Sequence, residues 1–300
     1  MEKIHIFTDS SADIPPQEVE KYGIEVAPVS LSYQGRTLRE YYDVTPSAYC
    51  TILETEKEIP FTAMITPTQF LDTYNRAFAR NCTHILGILI NGSGSGTYQA
   101  ACLARDLFQQ EHGDAMKIVL LDSQTYTYLY GHIVVLAAKM RDHGDSFEAI
   151  VSVAKSRLRR VEAFLGVYDL KYLKKSGRIS GGASFVGEAL GLKPISHVCA
   201  GEVTVCDKVR GEKALLVGLL RNVKKNVVQP EKQTAYLLYG DVADSKAAEL
   251  EQALLQEIGF VAVQRGWLGP SVLTNTGPYA IAVAFYGALR KDQKIAEPSD

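Results

Sequence analysis

The residues best suited to chemistry in this chain form a glycine- and serine-rich loop. Segment 91–97 (NGSGSGT) joins a predicted strand to a predicted helix. Its glycines allow backbone N–H groups to converge on an anion at a helix N-terminus, and the hydroxyls of Ser95 and Thr97 add donors. The loop has neither the Lys-Ser or Lys-Thr of a Walker A motif nor the glycine spacing of a dinucleotide site. It predicts an anion site, with an ordinary Gly/Ser turn as the alternative.

Two further polar segments interrupt apolar sequence. In segment 60–67 (PFTAMITP), Thr66 before Pro67 predicts a helix N-cap, whereas Thr62 has no such local role. Thr62 is therefore either exposed or a donor to a ligand. In segment 274–278 (TNTGP), the Gly-Pro pair predicts a turn. The threonine and asparagine side chains there either cap locally or face a cleft.

Two basic clusters lie in the second half of the chain. One is segment 173–180 (LKKSGRIS), and the other contains Lys208, Arg210 and Lys213. Lysines near a helix C-terminus are favoured by the helix dipole, so a solvated helix end explains the first cluster without function. Two such clusters on one domain also suit an acidic partner or a phosphate.

The sequence contains no recognisable catalytic constellation. Its six histidines accompany no GxSxG nucleophile motif, and no pair of carboxylates stands out as an acid/base dyad. The five cysteines form no CxxC and have no histidine at zinc-motif spacing, so reduced thiols and no metal site are expected. These residues are better suited to holding an anion than to running a reaction.

An alternation of strands and helices must position these segments. Apolar strand-like runs alternate with helices through the first two-thirds of the chain, which predicts βαβ units around a parallel sheet. One strand is predicted at 24–31, a helix at 246–258 and a small antiparallel hairpin at 201–209. The pattern changes near Arg160. The predicted fold is therefore α/β, with two α/β domains at 1–163 and 164–300, the first with a mainly parallel sheet.

Composition excludes several classes of protein. The chain has 300 residues, of which 46% are hydrophobic and 22% charged, so it is not a disordered or coiled-coil chain. A formal net charge of −2 leaves no electrostatic footprint for non-specific nucleic-acid binding. The N-terminal apolar run is too short for a signal peptide or a membrane span, which predicts a cytoplasmic protein.

Seven short blocks occur in a fixed order along nearly the whole chain: 7–15 (FTDSSADIP), 95–101 (SGTYQAA), 120–123 (LLDS), 173–180 (LKKSGRIS), 192–195 (LKPI), 208–211 (KVRG) and 276–278 (TGP). In this order they resemble the DegV family of bacterial fatty-acid-binding proteins. No block is specific alone, whereas the ordered set is.

The resemblance implies a long-chain fatty acid held in a cleft or tunnel between the two domains. The family's carboxylate-binding threonine and serine match Thr62 and Ser95. The ligand-binding residues expected on this basis are Thr62, Gly94, Ser95, Gly96, Asn275 and Thr276. No cofactor and no metal are implied, and membrane contact is expected to be transient.

The resemblance also implies a protein partner. In characterised members, a separate ATP-dependent kinase converts the bound fatty acid to an acyl phosphate. The family arginines implicated in that partnership match Arg178 and Arg210, which gives the two basic clusters a purpose.

The chain departs from the family pattern at several points. The family usually has Thr-Ser-x-Pro where segment 62–65 reads TAMI, Ser-Ser where Asn91-Gly92 stand, and His where Asn275 stands. Asparagine can hydrogen-bond a carboxylate but cannot carry positive charge. Small residues are usual where this chain has Tyr126, Tyr128 and Tyr130. These differences imply weaker anion binding or a ligand of different length or head group.

Three functions are left open by the sequence. The first is a non-enzymatic carrier that presents a fatty acid to a kinase. The second is an acyl-chain sensing or interaction module that works without a kinase. The third is a phosphotransferase that uses the Gly/Ser loop for phosphate, with Asp9 and Asp122 as the candidates for its metal carboxylate and its base.

Overall fold

The computed structural model describes residues 2–178 and 191–290. In these ranges the strands are β1 (Ile4–Asp9), β2 (Glu25–Ala27), β3 (Ser30–Tyr33), β4 (Arg36–Arg39), β5 (Phe61–Ala63), β6 (His84–Leu89), β7 (Lys117–Asp122), β8 (Val161–Val167), β9 (Leu192–Cys199), β10 (Glu202–Arg210), β11 (Thr234–Tyr239), β12 (Ala262–Trp267) and β13 (Ala280–Tyr286). Residues 179 and 180 of the first basic cluster, and the end of the chain after Arg290, lie outside the described residues.

The helices alternate with these strands. They are α1 (Pro16–Lys21), α2 (Pro46–Thr55), α3 (Pro67–Ala79), α4 (Thr97–His112), α5 (Tyr128–His143), α6 (Phe147–Leu158), α7 (Leu170–Ser176), α8 (Glu212–Asn226), α9 (Asp244–Ala253) and α10 (Pro270–Thr276). The predicted N-cap at Thr66 is confirmed, because its hydroxyl accepts from the Gln69 amide and the Gln69 side chain accepts from the Thr66 amide. This reciprocal capping box satisfies N–H groups that have no partner within the helix.

Three sheets organise the described residues. The first has the order β2-β1-β6-β7 and is parallel throughout. The second has the order β10-β9-β8-β13-β11-β12 and is mixed, with β11 and β12 parallel and the other pairs antiparallel. A small antiparallel sheet, β4-β3-β5, lies beside the first. The predicted fold class is confirmed.

One local prediction was wrong. The strand predicted at 24–31 is divided between β2 and β3, because Pro28 has no N–H to donate and the chain leaves the parallel sheet there. The helix predicted at 246–258 is confirmed, since α9 ends at Ala253 and the chain continues as one π-helical turn, Leu254–Ile258. Residues 270–276, for which no helix was predicted, form α10, with Pro270 in the first turn where its missing N–H costs nothing.

The predicted domain boundary at residue 163 falls inside β8. All of β8 belongs to the mixed sheet, whereas α6 packs on α5 of the first domain. We propose that the boundary lies between α6 and β8.

The two domains share both a core and a buried polar network. One buried hydrophobic cluster includes Ile6 and Leu129 of the first domain together with Leu165 and Val198 of the second. In the polar network, the Ser271 amide donates to the buried Glu40 carboxylate (2.6 Å), and the Ser271 hydroxyl donates to the Ser11 hydroxyl (2.9 Å). These bonds hold α10 of the second domain on the first.

Asp13 belongs to the same contact and makes stability depend on pH. It accepts a hydrogen bond from the Gly269 amide (2.8 Å). Burial, followed by the charge of Glu40, raises the pKa of Asp13 well above its ordinary value. The folded state therefore keeps a proton that the unfolded chain loses, so this contribution to stability is complete below the unfolded-state pKa. It declines as pH rises through the folded-state pKa.

Asp13→Asn is expected to flatten this pH dependence. Asparagine keeps an oxygen for the Gly269 amide and tolerates the left-handed backbone of this position (φ 50°) but cannot ionise. We expect the variant to exceed the wild type in free energy of unfolding near pH 8, with the difference shrinking toward about pH 4. Urea unfolding across that range checks it, with Asp72→Asn on the exposed surface of α3 as the control. Parallel pH profiles for Asp13→Asn and wild type would contradict the assignment.

Candidate functional site

A cavity lies between the domains, outside the carboxyl ends of the parallel strands. Residues that follow β1, β6 and β7 line one side, and the mixed sheet lines the other. Helix α10 and strand β5 complete the wall. Open α/β sheets bind ligands at this edge.

The wall of the cavity is largely apolar. The cavity volume is about 110 Å³, and the space free of protein atoms reaches about 900 Å³ when its open mouth is counted. Its apolar lining residues come from both domains and are Val29, Ala63, Met64, Ile90, Leu129, Ala163, Leu165, Val198, Val203, Leu268, Val272 and Ala282. Such a wall suits a hydrocarbon chain, because apolar contact is favourable without directed partners.

Thr62 and Ser95, the two hydroxyl donors predicted from the sequence, both line the cavity. Thr62 lies on β5 opposite Leu31 of β3, and its half-buried hydroxyl makes no hydrogen bond with the described residues. The Ser95 hydroxyl lies 3.0 Å from that of Thr97 and accepts from the Thr97 amide (3.3 Å). When Thr97 donates to it, Ser95 keeps its own hydrogen for a ligand. The two predicted donors therefore line one cavity.

The prediction that the backbone N–H groups of segment 91–97 converge on an anion is wrong for the amides of residues 92–95. The amides of Gly94 and Ser95 donate to the Asn91 carbonyl, and that of Ser93 donates to the Asn91 side chain. The Gly92 amide donates to Asp122 Oδ1 (3.0 Å). The amides of residues 92–95 are therefore engaged within the protein and are not available to an anion.

Tyr126 adds a donor beside this loop. Its hydroxyl oxygen accepts from Asn91 Nδ2 (2.8 Å), so its hydrogen is left to point elsewhere. A Cβ on Gly94 would lie 2.2 Å from the Tyr126 hydroxyl, which explains why glycine stands at 94. Burial raises the pKa of Tyr126, while Asn91 and Arg178 oppose that rise. The phenol therefore stays protonated at neutral pH and can donate to a carboxylate.

The two predicted docking arginines differ in position. Arg178 lines the cavity at its exposed mouth, where its guanidinium donates to the Ser176 carbonyl (2.8 Å) and lies 3.5 Å from the Gly94 carbonyl. Arg210 is exposed at the end of β10 and does not line the cavity. Only Arg178 is thus placed to influence the charge of a bound head group directly.

The predicted residues of α10 face the cavity with their donors partly engaged. Asn275 Nδ2 donates one hydrogen to the Ser271 carbonyl (2.8 Å), and the Thr276 hydroxyl donates to the Val272 carbonyl (3.1 Å). Thr276 has no second hydrogen for a ligand, whereas Asn275 keeps one. Gly96 does not line the cavity, but a Cβ there would lie 2.4 Å from Met64 Sδ, so it makes room for a lining side chain.

Sequence reasoning missed the hydroxyl pair Ser11 and Ser271, which also lines the cavity. Ser11 follows a strand, which is a signal that the sequence offers. Ser271 carries no such signal, because its role depends on α10 docking against the first domain.

The carboxylates considered for phosphate chemistry are engaged elsewhere. Asp9 is fully buried and accepts from the Ile90 amide (2.7 Å), the Ser11 amide (3.0 Å) and the Tyr130 hydroxyl (2.7 Å). Asp122 accepts from the amides of Gly92 and Gln124. Both oxygens of Asp9 and Oδ1 of Asp122 therefore hold neighbouring loops in place.

Comparison with known proteins gives the family. A family model described as uncharacterised protein, DegV family, matches residues 3–288. The chain belongs to the DegV family. A DegV domain-containing protein of Caldanaerobacter subterraneus is 31% identical over 285 residues, covering 95% of this chain and 99% of that protein.

Solved DegV structures share the fold. A DegV family protein from Thermus thermophilus, described by its fatty acid binding, is 27% identical with a TM-score of 0.83, covering 95% of this chain and 100% of that one. A fatty-acid-binding DegV family protein from Streptococcus agalactiae is 26% identical, also with a TM-score of 0.83, over 96% and 100% of the two chains.

Among residues 2–178 and 191–290, no helix combines the length and the apolar character that crossing a bilayer requires.

Proposed function

We propose that this DegV protein binds a long-chain fatty acid in the interdomain cavity. The observation that carries the proposal is a largely apolar wall that also contains two hydroxyls with a hydrogen to offer. Thr62 makes no hydrogen bond with the described residues, and Ser95 keeps its hydrogen when Thr97 donates to it. The similar DegV proteins of T. thermophilus and S. agalactiae are described as fatty-acid binding, which supports the same ligand here.

Burial of the hydrocarbon provides the driving force. Each buried CH₂ contributes about 0.8 kcal/mol, so an acyl chain of about sixteen carbons supplies on the order of 10 kcal/mol before ordering costs. Burial of the carboxylate reduces this favourable free energy unless protein donors replace the hydrogen bonds that it made with water. We infer that Thr62, Ser95 and Tyr126 supply these donors, with the positive charge of Arg178 at the mouth.

Tyr126 then compensates for the histidine that the resemblance leads one to expect at Asn275. A neutral phenol donates one hydrogen bond to a carboxylate, as a neutral histidine would, but contributes no positive charge. Head-group binding in this chain therefore depends on hydrogen bonding more than on a cation inside the cavity.

We further propose that the protein is a carrier without catalytic residues of its own, which presents the carboxylate to a separate kinase. The exposed position of Arg178 at the mouth supports this role. A sensing module without a kinase has the same cavity, and the two are separated by whether an acyl phosphate forms when a fatty-acid kinase and ATP are added. A phosphotransferase is disfavoured, because Asp9 is fully buried with both carboxylate oxygens engaged and the amides of residues 92–95 are engaged as well.

Native mass spectrometry of the purified protein, with extraction and identification of bound material, tests the proposal. A stoichiometric long-chain fatty acid is the expected result and gives the chain length directly. An empty protein that also refuses added fatty acid would overturn the ligand class.

Tyr126→Phe tests the head-group assignment. Loss of one hydrogen bond to a charged group costs about 1.5–3 kcal/mol, so we expect fatty-acid affinity to fall about 10- to 100-fold. Asn91 Nδ2 keeps its bond to the Gly201 carbonyl (2.8 Å) but loses its acceptor on Tyr126, so we expect a loss of stability beside the loss of affinity. Affinities are measured for a fatty acid and for its methyl ester.

The methyl ester distinguishes hydrogen bonding by the Tyr126 hydroxyl to the carboxylate from packing of the Tyr126 ring against the ligand. We expect it to bind Tyr126→Phe and wild type with nearly equal affinity, since it has no charge to stabilise. Tyr33→Phe is the matched control, because the Tyr33 hydroxyl donates to Glu56 and does not line the cavity. Equal losses for acid and ester would assign Tyr126 a packing role only.

A further inference from the structure

Glu162, His197 and Cys199 form a cluster away from the cavity. One ligand atom of each residue lies within 4.8 Å of the others. Glu162 is on β8, and His197 and Cys199 are on the neighbouring strand β9, where alternate residues face the same side. The pairing of Ala163 with Val198 and of Phe164 with His197 places all three side chains on one face of the sheet.

The three side chains lie on the face of the mixed sheet that points away from the cavity. Ala163 and Val198, the alternating neighbours of the cluster, line the cavity, whereas Phe164 packs into the separate core beneath α8. The cluster is therefore independent of the proposed fatty-acid site.

The cluster is preorganised and open to solvent. His197 Nε2 lies 2.8 Å from Glu162 Oε2, and the His197 ring stacks on Phe164 with centroids 4.6 Å apart and an interplanar angle of 15°. The His197 side chain is 28% exposed and that of Glu162 9%, so an ion can reach two ligands already held together. The alternative explanation of the cluster is an ion pair between His197 and Glu162. That ion pair does not involve the thiol of Cys199.

We propose that Glu162, His197 and Cys199 bind a divalent cation of the zinc class. Zn²⁺ takes carboxylate oxygen, imidazole nitrogen and thiolate sulfur, with four ligands in all, so a water completes the site. On binding, the Cys199 thiol releases its proton to the solvent and a metal–sulfur bond replaces the S–H bond. The two anionic ligands then balance the charge of the ion.

Arg290 tunes this site. Its guanidinium donates to the carbonyls of Val161 (3.0 Å) and Leu158 (2.7 Å) and lies 3.5 Å from Cys199 Sγ. Its positive charge therefore lies beside the sulfur that would bind the ion. The same charge repels a cation, so we expect affinity below that of a structural site with four protein ligands.

Zinc-motif spacing did not reveal the site, because His197-Val198-Cys199 follows the two-residue alternation of a strand and Glu162 comes from a different strand. Only strand pairing brings the three together.

Titration of the full chain with Co²⁺, which takes zinc sites and absorbs visible light, tests the proposal. We expect a thiolate-to-cobalt charge-transfer band that saturates at one ion per chain and disappears when Zn²⁺ is added. Cys199→Ser should abolish the band, and Glu162→Gln should weaken Zn²⁺ binding at least ~10-fold in competition with a chelating indicator.

Cys206→Ser is the matched control, since Cys206 is an exposed thiol on the adjacent strand β10, and it should leave the band unchanged. Circular dichroism and fatty-acid binding verify that each variant is folded. A second candidate cluster, Glu2, His84 and Glu148, has no thiol and cannot give the band. Absence of a thiolate band in the wild type, or its persistence in Cys199→Ser, overturns the proposal.

Discussion

Simultaneous replacement of Thr62 and Ser95 by alanine is expected to weaken fatty-acid binding by at least about 100-fold, since two hydrogen bonds to a charged group contribute roughly 3–6 kcal/mol together. Both residues line the cavity, and the local bonds that the substitutions remove are those of the Ser95 hydroxyl with the amide (3.3 Å) and hydroxyl (3.0 Å) of Thr97. Thr62 makes no hydrogen bond with the described residues, and the amide of Ser95, which the substitution leaves in place, holds the loop to Asn91. The loss should therefore appear in affinity rather than in stability.

Isothermal titration of a delipidated protein measures the effect, with the methyl ester of the same acid as the second ligand. The ester should lose much less, because it brings no charge into the site. Ser93→Ala controls for loss of a hydroxyl in the same loop, since Ser93 does not line the cavity. Unchanged affinity for the acid in a folded double variant would remove both residues from the head-group site.

Gly131→Ala should give the largest loss of stability among single methyl additions in the first domain. Gly131 lies in the first turn of α5, and a Cβ there would lie 2.1 Å from the Ala12 carbonyl oxygen. A backbone atom cannot rotate away, so α5 and the turn after β1 must separate. Overpacking of this kind costs about 1–3 kcal/mol or more, which exceeds the 0.5–1 kcal/mol that alanine gains over glycine in a helix.

Urea unfolding measures this change, and Gly218→Ala on α8 is its control. A Cβ on Gly218 would approach Ile195 Cδ1 to 2.5 Å, but that atom ends a flexible side chain that can rotate. We expect Gly131→Ala to be the more destabilising of the two. Because the turn after β1 also carries Ser11, fatty-acid affinity should fall with stability in Gly131→Ala. Equal stability of both variants would show that the turn yields more easily than the geometry indicates.

Much of this molecule can be read from local sequence. The alternation of apolar runs with helices predicted the α/β fold, and the strand before segment 91–97 is β6, because strand periodicity is a local property. Thr66-Pro67 predicted the start of α3 for the same reason, as capping acts within one turn. The ordered blocks led to the family and to Thr62 and Ser95, although their meeting in one cavity depends on two domains.

The tertiary structure decided what depends on partners distant in sequence. The sequence of segment 91–97 predicted free backbone amides that converge on an anion. Only the tertiary structure shows that the amides of residues 92–95 donate to Asp122 and to Asn91 instead. Segment 270–276 became a helix because the first domain supplies Glu40 and Ser11 to hold it. Likewise, Glu162 meets His197 and Cys199 only through the pairing of β8 with β9. A hydrogen bond or a ligand set between remote segments does not change the residue pattern of either segment. It can therefore be identified only from the packed tertiary structure.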